Sequence, residues 1–248
     1  MESKTIKYCF KFADDSQEVF HFDLDTDNYV LVSDDVPDNL PDWTNLDFHQ
    51  CPNCPLVSTI QPNCPLTLHL VNIVKSFDRI LSYDEAYVEV TTEKRCVSQR
   101  TTAQKGISSL MGLVIAYSGC PHTDFFKPMA YLHLPFANAE ETLCRATSMY
   151  LLAQYFLQRE RKKADFELQG LKQIYENIRL VNIAIAERLR IASEADSSVN
   201  AIVLLDLFAV DIPLIIDESL EEIRNIFAPY LTDHSDQMTR TSNDQPDT

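Results

Sequence analysis

Seven cysteines occur in 248 residues, and four of them are followed directly by proline: Cys51, Cys54, Cys64 and Cys120. At an average proline usage of about 5%, seven cysteines would meet a following proline only about 0.3 times. The other three, Cys9, Cys96 and Cys144, precede Phe, Val and Arg, so the chain carries two classes of cysteine. The pentapeptide PNCPL appears twice, at 52–56 and 62–66, and a fourth Cys-Pro stands in SGCPH at 118–122. Proline fixes its own backbone angle, donates no N–H and holds the preceding residue extended. A loop stiffened in this way presents thiolates with little entropy left to lose. The spacing C-x2-C, then a third cysteine after nine residues, then the distant Cys-Pro-His, suits four thiolates around tetrahedral zinc or an iron–sulfur cluster.

We therefore expect Cys51, Cys54, Cys64 and Cys120 to form a metal centre, with His122 and His133 as substitute ligands. Zinc is preferred over an iron–sulfur cluster, because a distant fourth ligand that ties a loop to a helix end suits a structural ion. Two other readings stay open. The cysteines are buried apolar residues in Pro-rich loops, as free cysteines often are, or Cys51 and Cys54 form a redox dithiol.

Composition narrows the function classes. The net charge is −16, which repels nucleic-acid phosphates and anionic membranes and argues against both as partners. A protein partner or self-association is expected instead. Only four glycines occur where about 17 are usual. No Gly-rich phosphate loop, nucleophile elbow or H-E-x-x-H zinc helix is present. The first residues, MESKTIKYCF, contain no apolar signal core. The apolar stretch 201–216 carries Asp206 and Asp211, which argues against a membrane span. A cytoplasmic location follows as the expectation, and thiols there stay reduced.

The elements that must position the thiols are legible as patterns. Ile6, Tyr8, Phe10 and Phe12 alternate with polar residues, as do Phe20, Phe22 and Leu24, with turn-forming ADDSQ between them. This predicts a hairpin, with a third strand over 28–33 and a further strand over 86–92. From about residue 65 the period becomes helical. Leu66, Leu70, Val74, Phe77 and Leu81 share one helix face, and Pro65 opens that helix with Cys64 as its cap. Thr102 caps a helix that stops at Gly119. Asn138 and Glu141 form a capping box for a helix whose segment 149–157 is apolar nearly all round, and which is therefore expected at the centre. A stripe from Leu171 to Leu189 marks another helix, and two more are expected near 198–209 and 217–231.

The predicted fold is α+β: a small N-terminal antiparallel sheet packed on a larger C-terminal bundle of five or six helices. The predicted divisions are a β-rich part over 1–49, the Cys-Pro loop over 50–66, a mainly helical part over 67–232 that includes the strand 86–92, and a disordered tail over 233–248.

Other chemical signals weigh less. Residues 23–34 place acids like a calcium loop, but Asn28 stands where that loop needs glycine, and an acidic β-turn is the better reading. Ser118 has no evident His and acid partners, and Asp206 reads as the polar edge of a helix. The basic runs RERKK at 159–163 and EKRC at 93–96 read as solvated element ends.

The segments CPNCPL, SGCP and FFKPMAYLHLPFANAEETLCRATSMYLLAQYF (125–156) resemble a family of uncharacterised bacterial proteins, over most of the chain from the Cys loop to about residue 230. The resemblance implies a bacterial cytosolic protein and carries no activity. Two function classes are thus expected: a binding or regulatory module with a metal centre, or an enzyme or thiol-redox protein with a cleft between the Cys loop and residues 121–136, where His122, Asp124, Lys127 and His133 gather.

Overall fold

The computed structural model describes residues 3–25, 27–32, 37, 39–218 and 220–231. The predicted tail and the end of the acidic segment at Asp34 lie outside the described residues. Strand β1 (Ser3–Phe12) pairs with β2 (Gln17–Asp25) as the alternation requires, and β3 (Val30–Val32) adds to β2. On its other side β1 pairs with β4 (Glu85–Thr92), which pairs with β5 (Cys96–Thr102). All pairings are antiparallel, in the order β3-β2-β1-β4-β5. The fold is α+β.

The period-2 pattern decides which face is buried. Ile6, Tyr8 and Phe10 are fully buried, and Val90 and Val88 lie opposite Tyr8 and Phe10 on the same face. The ring of Phe77 covers this face, 4.9 Å from that of Phe10 between centroids. The other cover is helix α3 (Ala103–Ala116), which begins at Thr102 as expected. It comes so close that a Cβ on Gly106 would sit 2.7 Å from Phe10 Cε1 and 2.9 Å from Val88 Cγ2.

Two short helices, α1 (Pro65–Leu68) and α2 (Val71–Ser76), replace the single helix expected over 66–81. A three-residue bond from Leu70 N to Thr67 O interrupts the run, and Leu81 is exposed beyond its end. After α3 come α4 (Lys127–Tyr131), α5 (Ala139–Arg159), α6 (Gln169–Ala192), α7 (Ser197–Glu218) and the short α8 (Ala228–Leu231). The capping box of α5 forms: Asn138 Oδ1 accepts from Glu141 N at 2.8 Å, and Glu141 Oε2 accepts from Asn138 N at 2.9 Å.

Helix α5 is not central. Leu152, Tyr155 and Phe156 are exposed, and its buried residues are Leu143, Ala146 and Gln154. Apolar residues on every side do not say which side has a neighbour. The centre is held by α7, on which both α3 and α6 pack. The first helix expected after 198 is longer than predicted, because α7 runs on through Pro213, and the second is a 3-10 helix over Leu220–Phe227 followed by α8. Its segment Ser197–Ile216 is long and apolar enough to cross a membrane, and here it packs on α3 and α6. Strand β5 was not expected, since its polar residues (Ser98, Gln99 and Arg100) give no apolar alternation.

The two glycines of α3 face opposite conditions. Gly106→Ala should destabilise the fold by about 1–3 kcal/mol, because crowding of Phe10 and Val88 outweighs the gain in helix propensity. At Gly112 an added Cβ meets only Leu205 Cδ2, at 3.7 Å. Gly112→Ala should therefore stabilise by about 0.5–1 kcal/mol. Urea unfolding midpoints of both variants check the pair.

Candidate thiol site

The Cys-Pro loop is closed at its neck by backbone pairing. Residues 42–44 form a 3-10 turn, Asn45 and Asn63 make an antiparallel bridge, and Leu46 N donates to Pro62 O at 2.8 Å. Cys64 N donates to Thr44 O at 2.8 Å, and Thr67 Oγ1 donates to Cys64 O at 2.9 Å. Within the loop, Cys54 N donates to Cys51 O at 3.0 Å, a tight turn that turns the C-x2-C pair back on itself. Cys64 is the N-cap residue and Pro65 the first residue of α1, as the sequence indicates.

Arg188 of α6 reaches under this loop and is only 1% exposed. Its Nη1 donates to Trp43 O at 2.9 Å and Asn45 O at 2.8 Å, its Nη2 to Leu46 O at 2.9 Å, and its Nε to His49 O at 3.4 Å. Among the described residues, no carboxylate forms an ion pair with it. Burial lowers its pKa, and Cys64, Cys51 and Cys54 would act the other way as thiolates.

Cys120 reaches the loop from α3. Gly119 adopts φ +80°, and a Cβ there would meet Pro65 Cβ at 3.9 Å, so the turn after α3 lies against the residue that follows Cys64. His122 Nε2 donates to Asn53 O at 2.8 Å, which ties the Cys-Pro-His segment to the residue between Cys51 and Cys54. Asn53 Nδ2 in turn reaches Asn177 of α6 at 3.2 Å. Three separate stretches of chain are thereby held together around the four cysteines.

The electrostatics show the same proximity. Burial pushes the Cys51 thiol up to about 12, helped by Cys64, Cys120 and Cys54 and opposed by Arg188. The Cys120 thiol is pushed up to about 11, first by burial and then by Cys64 and Cys54, against the backbone N–H groups of His122 and Thr123. As free thiols, Cys51 and Cys120 are thus protonated at neutral pH. Among the described residues, no three or more His, Cys, Asp or Glu side chains are arranged as a finished metal cage. Cys51, Cys54 and Cys64 lie in the clamped loop, and the turn that carries Cys120 packs against Pro65 at its end.

The remaining candidates separate. His122 joins the cysteines through Asn53. His133 instead bonds the Tyr8 hydroxyl through Nε2 at 2.5 Å, and burial lowers its pKa to about 3, so the ring is neutral. Cys9 lies buried on β1, Cys96 is exposed on β5, and Cys144 is half-buried on α5. Asp25 gathers the N–H groups of Asp27 and Asn28, which is turn chemistry. Ser118 Oγ donates to Ile115 O at 2.8 Å, a local helix-end role. Asp206 accepts from Asn182 at 3.4 Å. Sequence reasoning missed Arg188, which sits at a helix position with no motif around it.

A cavity of about 450 Å³ lies beside this site, between α3, α4, α5, α6 and α7. Part of its wall comes from residues 126–138, but no cysteine lines it. The Cys loop contributes nothing to its wall, so this cavity is not the cleft expected between the loop and residues 121–136.

A family model matches residues 6–228. The chain belongs to the family described as a domain of unknown function, DUF6901. No curated protein and no solved structure matches it.

Replacing Arg188 by Met takes the donor from the carbonyls of buried Trp43 and Leu46, whereas Asn45 O keeps its bond from Phe48 N at 3.2 Å. At about 1–3 kcal/mol for each stranded group, Arg188→Met should lose more than about 2 kcal/mol of stability in urea unfolding. A loss below about 1 kcal/mol would show that the loop holds its own shape.

Proposed function

We propose that Cys51, Cys54, Cys64 and Cys120 ligate a metal centre, zinc in preference to an iron–sulfur cluster, and that the loaded domain acts as a cytoplasmic binding or regulatory module for a protein partner. The observation that carries this reading is the convergence of Cys120, at the end of α3, on a loop that already holds three Cys-Pro cysteines. Buried cysteines from distant parts of a chain need no such shared clamp if each only fills space. The positive Arg188 supports the reading further, because a metal held by four thiolates is net negative and a buried cation beside it offsets that charge. Metal binding would draw the thiols inward and release their protons, which makes affinity rise with pH.

A thiol-redox role is supported less. An attacking cysteine needs a depressed pKa, and Cys51 moves the other way.

The test is the metal content of protein purified with and without oxygen. About one zinc per chain is expected. Iron with acid-labile sulfide and a brown colour would favour the cluster, and no bound metal under either condition would refute the centre. Cys64→Ser should release the metal and lower the melting temperature, since binding free energy is here folding free energy. Cys96→Ser, at an exposed position on β5, should change neither.

A further inference from the structure

The cavity beside the thiol site has a composition that the rest of the molecule does not share. The chain has 37 acidic and 21 basic residues, yet among the described residues the cavity wall contains Lys105 and Arg145 and no Asp or Glu. Most of the wall is apolar: Ile115, Phe126, Met129, Leu204, Leu205 and Phe208. Its size falls within the roughly 300–1,000 Å³ of ordinary small-molecule sites, which combine an apolar body with a few placed polar groups.

Arg145 is the placed cation. Its Nη2 donates to the carbonyls of Met129 and Leu132, at 2.6 and 3.0 Å, which fixes the guanidinium at the wall. Among the described residues it has no ion-pair partner. Glu141, the acid that most favours its charge, is engaged in the capping box of α5. Beside it, the hydroxyls of Tyr8 and Ser109 and the ring of His133 form a hydrogen-bonded group, with Tyr8 bonded to Ser109 at 2.9 Å and to His133 at 2.5 Å. Phe136 N donates to Ser109 Oγ at 3.1 Å and completes this polar corner. Lys105 stands exposed at the rim, where it steers anions inward.

We infer that this cavity binds a small amphipathic monocarboxylate, with its carboxylate at Arg145 and its apolar body along α3 and α7. A neutral amphiphile lacks the charge that a half-buried guanidinium would pair with, and an amine would meet two cations. The inference stands on the cavity alone and is independent of the metal reading.

The experiment titrates the full chain with sodium decanoate, 1-decanol and decylamine by calorimetry. Decanoate should bind, decanol should bind at least about tenfold more weakly, and decylamine should not bind, because a charge-assisted hydrogen bond is about twice as strong as a neutral one. Arg145→Gln should weaken decanoate by at least about tenfold. Gly112→Leu, which extends a side chain from α3 into the cavity, should abolish binding while circular dichroism is unchanged. The inference is overturned if decanoate does not bind the wild-type chain, if decylamine binds as well as decanoate, or if folded Arg145→Gln keeps its affinity. Should Arg145→Gln not fold, the three probes on the wild-type chain decide.

Discussion

Among the described residues, Arg188 has no carboxylate paired with its buried charge; it has carbonyls. A guanidinium offers donors in a fixed fork, and here they are taken up by the carbonyls of Trp43, Asn45, Leu46 and His49. These groups belong to a stretch with no regular secondary structure beyond one turn and one bridge. Trp43 and Leu46 are buried, and without an outside donor the burial of their carbonyls would be costly. The side chain therefore does for the loop what a neighbouring strand would do for an edge. Because α6 also packs on α7, which packs on α3, the loop and the end of α3 are both tied to the same three-helix centre. The position of Cys120 relative to Cys51, Cys54 and Cys64 follows from that shared frame.

The two polar sites are built differently. The thiol site is made of loop held by side chains: Arg188 from below, and Asn53 and His122 across. The cavity is made of helix walls, and its polar corner is a relay of hydroxyls and one neutral imidazole. A loop can tighten around an ion. Helix walls packed by their own apolar stripes hold their spacing.

The legible part of the fold was the part written in short periods. Alternation gave β1, β2 and β4, and the Asn138–Glu141 box marked the start of α5. The pairing of Pro65 with Cys64 as a helix start could also be read directly, as could the stop near Gly119. What was illegible depends on partners distant in sequence. Strand β5 is recruited because β4 offers it an edge, although its own residues are polar. The 149–157 segment is apolar all round, and only the packing of α3, α6 and α7 shows that it lies outside. Arg188 could not be singled out, because its role depends on carbonyls 139 to 145 residues away. The separation of His133 from the cysteines is likewise set by the sheet, since its partner is Tyr8 on β1.

The sheet order has a consequence for the order of synthesis. The β1–β2 hairpin closes over a few residues and can form as soon as it emerges from the ribosome. Its central strand must then wait for β4, which begins sixty residues after β2 ends, and the cysteine loop lies in that interval. A growing chain therefore carries three thiols in this loop before either Cys120 or Arg188 has been made. Contacts between segments so far apart form late and slowly. During that time the three Cys-Pro cysteines are open to solvent, and a reducing surrounding protects them from pairing wrongly with one another.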